Sequence, residues 1–187
     1  MVRRIGMGDQ SYREILREVA LDNYGYVTIE DAVEVGVPAI ELAKLAQRKK
    51  GRFENIAYGL YRDNSIPESP LGYLAEAVLR SGKGAYLHGE SVLAMHDLAL
   101  VNPRHISVAS LRPARKTLPA SIRLTKAKEG VRVTEYEGIP SQPVADAILE
   151  CRKTIEPERL AQAARDARSQ GLITSKEWET VKKGLGL

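Results

Sequence analysis

Residues 25–62, GYVTIEDAVEVGVPAIELAKLAQRKKGRFENIAYGLYR, constrain this chain more than any other stretch. Their punctuation predicts two short helices, a tight turn between them and a hairpin after them. Thr28 and Asp31 have capping-box spacing just ahead of the apolar Ala32, Val33 and Val35. Gly36 can take positive φ and stop that helix after about two turns. Pro38 suits the first position of the next helix, where a missing N–H costs nothing. Gly51 ends the second helix, and residues 52–56 and 59–62 read as short strands around Ala57-Tyr58.

The second helix, predicted over residues 38–50, carries the chemistry. At about 100° per residue, Ala39, Leu42, Leu45 and Ala46 share one face and can pack inward. Ile40, Glu41, Lys44, Gln47 and Arg48 fall on the other. Lys44, Gln47 and Arg48 have the reach to meet base edges or phosphates in a major groove, and Lys49 and Lys50 crowd the C-terminal end. Arg52 and Arg62 sit at the hairpin base and Tyr58 near its tip. Helix, turn, helix and hairpin is the order of a winged helix-turn-helix, so these eight residues are candidate contacts to double-stranded DNA. The plainer alternative is a solvated amphipathic helix followed by an ordinary hairpin.

The rest of the chain bounds that reading. Its 187 residues suffice for one large or two small domains, and 43% hydrophobic content is ordinary for a globular protein. No apolar run is long enough to span a membrane, and MVRRIGMGDQ lacks the features of a secretion signal. The single Cys151 permits no internal disulfide, so a cytoplasmic location is expected. Residues 1–69 hold 10 Lys/Arg against 11 Asp/Glu, whereas residues 104–132 hold 8 basic residues and only Glu129. Within that basic stretch Arg112, Arg115, Lys116, Arg123, Lys126 and Lys128 are candidates for contact with DNA or an acidic protein surface. A charged, solvated sheet edge is the alternative.

The expected organisation is α+β: a flexible tail over 1–10, a winged helix-turn-helix over 11–63, a linker over 64–70 and a mixed α+β domain over 71–187. Arg3 and Arg4 on the tail could touch phosphate. Ser11 and Glu14 read as a capping box opening a support helix to about Asn23. Downstream, a helix is expected over 71–81, strands over 105–110, 121–126 and 131–136, and a helix from Pro143 to Cys151. Pro157 starts another helix, and Thr174 with Glu177 caps a last one. His88, His96 and His105 lack the HExxH spacing or cysteine partners of a zinc site, so packed or capping histidines are expected and no cofactor. Phosphate-loop, dinucleotide and nucleophile-elbow motifs are absent, and so is the Glu-x-Lys of a metal-dependent nuclease. No catalytic activity is therefore expected.

Gly51-Arg52-Phe53 followed by Tyr58-Gly59-Leu60-Tyr61-Arg62 resembles the end of the N-terminal winged-helix domain of AbiEi-type antitoxins. Residues 85–98, AYLHGESVLAMHDL, resemble that family's S-H-x-S-A-L-x-L-H-G-L helix through His88, Ser91, Leu93, Ala94, Met95, His96 and Leu98. Asp97 stands where the family has Gly. Gly138-Ile139-Pro140 resembles a third family passage, with Pro143-Val-Ala-Asp146 departing from its Thr-Leu-x-Asp portion. The resemblance implies a bacterial repressor of its own toxin–antitoxin operon that neutralises a nucleotidyltransferase-like toxin. A winged-helix regulator without a toxin, or a DNA-binding nuclease, are the alternatives.

Overall fold

The computed structural model describes residues 9–48, 51–112 and 117–187. Among them are eight α-helices, one 3-10 turn and eight strands, a mixed α+β chain that divides into a unit ending at Arg80 and a unit beginning at Ser81.

The first unit runs α1 (Asp9–Asp22), β1 (Tyr26–Thr28), α2 (Ile29–Glu34), α3 (Ala39–Gln47), β2 (Phe53–Ala57), β3 (Leu60–Asp63) and α4 (Gly72–Ser81). Helix α1 begins at Asp9, so Ser11 lies inside it rather than capping it. Thr28 does cap α2. Its hydroxyl accepts from the Asp31 N–H at 3.0 Å, and the Asp31 carboxylate accepts from the Thr28 N–H at 2.9 Å. Gly36 leaves the helix at φ +82°, and Pro38 is the N-cap of α3, one position earlier than expected. The antiparallel sheet has order β1-β3-β2. Strand β1 was not expected: Tyr-Val-Thr is β-prone, but three residues carry too little periodicity to stand out. Leu16, Val27, Val37, Leu42, Leu45, Phe53 and Tyr61 meet in one core. Truncating one of these leucines to alanine costs about 2–5 kcal/mol.

Residues 64–66 do not behave as the start of a linker. The Asn64 N–H donates to the Arg52 carbonyl, Ser65 closes a turn on Asp63, and Ile66 packs on the core. Farther on, Glu76 of α4 accepts from the Tyr26 hydroxyl at 2.8 Å and from Arg80 Nε at 2.5 Å. Burial first, and then the Glu76 carboxylate, push the Tyr26 phenol up to about 12. That bond ties α4 to β1 and draws it into the first unit.

The second unit contains β4 (Tyr86–Leu87), α5 (Glu90–Met95), β5 (Ile106–Ser110), β6 (Ile122–Lys126), β7 (Thr134–Tyr136) and β8 (Ile139–Ser141). Helices α6 (Val144–Glu150), α7 (Pro157–Ser169) and α8 (Ser175–Leu185) follow, with a 3-10 turn at Cys151–Lys153. The sheet order is β6-β5-β4-β8-β7; β5–β6 and β4–β8 are parallel and the other pairs antiparallel. The helix expected across 85–98 is a strand and a short helix, separated by Gly89 at φ +56°. Helix α6 packs on α5, α7 and α8, with Val144, Ala147 and Ile148 buried. Gly184 of α8 lies so close to Leu149 that a Cβ there would collide with it.

Thr174 and Glu177 form the expected capping box at α8, and Arg132 pairs with the same carboxylate. The Thr174 backbone N–H, then Arg132, hold the Glu177 carboxyl down to about 2. A depressed carboxyl contributes stability that is complete above its unfolded value near pH 4.5 and is lost as pH falls towards 2. Glu177→Gln should therefore cost about 1 kcal/mol at pH 7 and flatten the loss of stability between pH 4.5 and 2. Urea unfolding followed by fluorescence of the sole tryptophan, Trp178, reads both effects.

Candidate nucleic-acid interface

Helix α3 turns Leu42 and Leu45 into the core and leaves Ile40, Lys44, Gln47 and Arg48 exposed. Lys44 Nζ lies 2.9 Å from Glu41 Oε1, with the lysine side chain 58% exposed. Such a surface pair contributes at most a few tenths of a kcal/mol, so Lys44 can turn to another anion at little cost. Arg48 is not in the helix. It is the C-cap, with extended backbone, because α3 stops at Gln47. Gly51 explains the sharp exit: a Cβ there would sit 2.8 Å from the Arg48 carbonyl and 2.9 Å from that of Leu45. Lys49 and Lys50 lie outside the described residues.

The hairpin separates its candidates. Tyr58, at the β2–β3 turn, is 79% exposed. Arg52 and Arg62, expected as DNA contacts at the hairpin base, have partners inside the unit. Arg52 Nε donates to Ser65 Oγ at 2.8 Å and pairs with the fully buried Asp63 at 3.3 Å. Asp63 also accepts from the Ser65 N–H and hydroxyl. Arg62 donates to the carbonyls of Tyr24 and Ile66, both at 3.1 Å, and lies over the Tyr26 ring, 5.2 Å from its centroid. The turn beneath it is made for that contact: Tyr24 and Gly25 have positive φ, and a Cβ on Gly25 would meet the guanidinium at 2.9 Å. Sequence reasoning missed Asp63 because it closed a hairpin and opened a polar stretch. The Asp-x-Ser spacing of an Asx turn was the available signal.

The basic residues of the second unit do not share one face. Strand β6 is terminal in its sheet, and Arg123 and Lys126, both exposed, point to opposite sides of it by strand alternation. Arg112 follows β5, with its backbone N–H on Ser110 Oγ, and Lys128 follows β6; both are exposed. Arg115 and Lys116 lie outside the described residues. Cationic side chains on an edge strand also keep it from pairing with other chains.

The histidines occupy separate settings, and no cluster of metal-ligating side chains occurs among the described residues. His88 Nδ1 lies 2.6 Å from Glu150 Oε1 and Nε2 lies 3.0 Å from Thr125 Oγ1. Gln142 bonds the other Glu150 oxygen and the Gly89 N–H. The bond from His88 holds the Glu150 carboxyl below its ordinary value, against the opposing pull of burial. This network stitches β4, β6 and α6 together. The His96 ring packs against Tyr136 in a tilted arrangement with centroids 4.3 Å apart, and burial lowers its pKa. His105 lies on the Arg104 carbonyl.

Two kinds of cationic side chain follow from this geometry. Arg62→Ala should destabilise the first unit by about 2–3 kcal/mol and Arg52→Ala by about 1–2, whereas Lys44→Ala should change stability by under about 0.5. Thermal unfolding monitored by circular dichroism separates them. No family model matches the chain, and no curated protein matches it.

Proposed function

We propose that the first unit is a winged helix-turn-helix that binds operator DNA, and that the chain is an antitoxin repressing its own operon and counteracting a nucleotidyltransferase-like toxin. The observation that carries the DNA reading is the element order α1, β1, α2, α3, β2, β3 with sheet order β1-β3-β2. That arrangement anchors α3 on its apolar side and leaves Lys44 and Gln47 exposed, and Tyr58 at the hairpin tip is exposed as well. A helix presenting short-range donors and a cation is what a major groove accepts, with phosphate contacts fixing register and side-chain amides reading bases.

The toxin partner rests on the resemblance to AbiEi-type antitoxins. The departure at Asp97 in the 85–98 motif is compatible with the backbone, since Asp97 sits at φ +53°, a conformation glycine adopts freely and aspartate tolerates. The second unit would carry that role.

Gel-shift titration with duplex from upstream of the chain's own gene tests the reading. The chain should bind specifically, and Lys44→Ala/Gln47→Ala should weaken binding by roughly tenfold to a hundredfold while leaving the fold intact. Arg62→Gln should leave the slope of log K against log salt unchanged, because both of its terminal nitrogens are bonded to backbone carbonyls. The second half requires that a neighbouring gene encode a nucleotidyltransferase: rescue of growth on co-expression with its product supports the reading, and the lack of such a gene or continued toxicity contradicts it.

A further inference from the structure

Ile40 is 61% exposed on the outer side of the nine-residue α3, while Leu42 and Leu45 of the same helix are buried. A branched aliphatic side chain on a solvent face loses χ1 freedom and leaves its methyls in water. Gln47 lies seven residues on. Seven residues are nearly two full turns, so both side chains stand on one stripe about 10.5 Å apart along the axis, with Lys44 between them. Base pairs rise about 3.4 Å per step, so that separation spans about three steps.

The two side chains differ in what they can recognise. The apolar feature that a base pair offers in the major groove is the thymine C5-methyl, and a carboxamide matches the N6 donor and N7 acceptor of adenine. Lys44 carries a charge that its weak surface pair with Glu41 leaves available to phosphate, which leaves Ile40 and Gln47 as the uncharged pair on the stripe. Resting on the DNA-binding reading, we infer that Ile40 and Gln47 are the base-reading pair of α3, Ile40 on a thymine methyl and Gln47 on an adenine about three steps away. Val33 and Val35, 58% and 40% exposed, lie on α2 and its cap and are not part of that stripe.

The test begins with selection of bound duplexes from a random pool by the full chain. Each thymine of the enriched site is then replaced singly by deoxyuridine, which removes only the methyl, and affinity is read by fluorescence anisotropy at one salt concentration. Wild type should lose about fourfold at one position, in keeping with one buried methyl. Ile40→Ala should bind thymine and uracil alike at that position. Gln47→Ala should lose its preference at an adenine about three steps from it. An enriched site whose uracil variants all bind wild type equally overturns the inference and leaves DNA binding standing. If selection enriches no sequence, the DNA reading fails and takes this one with it. Self-association that Ile40→Ser abolishes, together with uracil indifference, assigns Ile40 to a contact between copies and likewise overturns the inference.

Discussion

The first unit depends on β3, because that four-residue strand makes both of the sheet's pairings. Tyr61 sits opposite Val27 on one side and Asn55 on the other, and its ring joins the core. Arg62 and Asp63 then use the end of the strand to fasten the chain around it. The guanidinium of Arg62 collects carbonyls from Tyr24 before β1 and Ile66 after β3. Asp63, fully buried, is bonded by Ser65 and faces Arg52. These contacts all fall on Oδ1, while Oδ2 is buried with no hydrogen-bond partner among the described residues, so losing one partner leaves the carboxylate still less compensated. With β3 held, α3 has a fixed platform, and the outward aim of Lys44 and Gln47 follows from the burial of Leu42 and Leu45.

The second unit is held differently. Its sheet has two parallel pairings that lie on either side of the β4–β5 antiparallel pair, and α6 is the helix around which α5, α7 and α8 gather. The close approach of α8 to Leu149 is possible because residue 184 is glycine. The polar network of His88, Glu150, Gln142 and Thr125 closes largely on itself, which gives the histidine a structural role.

What could be read from the sequence was the part written in local chemistry. The capping boxes of Thr28 and Thr174 and the glycine stop at 36 are decided within four residues, and their signals are strong; the hairpin turn, expected at Ala57-Tyr58, lies one residue later at Tyr58-Gly59. β1 and β8 escaped notice because three-residue strands carry no periodicity, and Pro140 in β8 argues against a strand. The candidate site shows the same division. The outer face of α3 follows from helical spacing alone, so Ile40, Lys44 and Gln47 fall where expected. What the sequence did not reveal for Arg52 and Arg62 is their partners, because a side chain's charge is visible in sequence and its partner is not. Their partners, Asp63, Tyr24 and Ile66, are brought to them by the fold.

The central claim is that the exposed side of α3 is the surface that meets DNA. Amide chemical shifts recorded by NMR while the full chain is titrated with duplex from its own upstream region test this residue by residue. The account predicts perturbations concentrated on Ile40, Lys44 and Gln47, with a second group at Tyr58, and little change along β6. Perturbations confined to residues 104–132, or none at all with the chain folded, would contradict it.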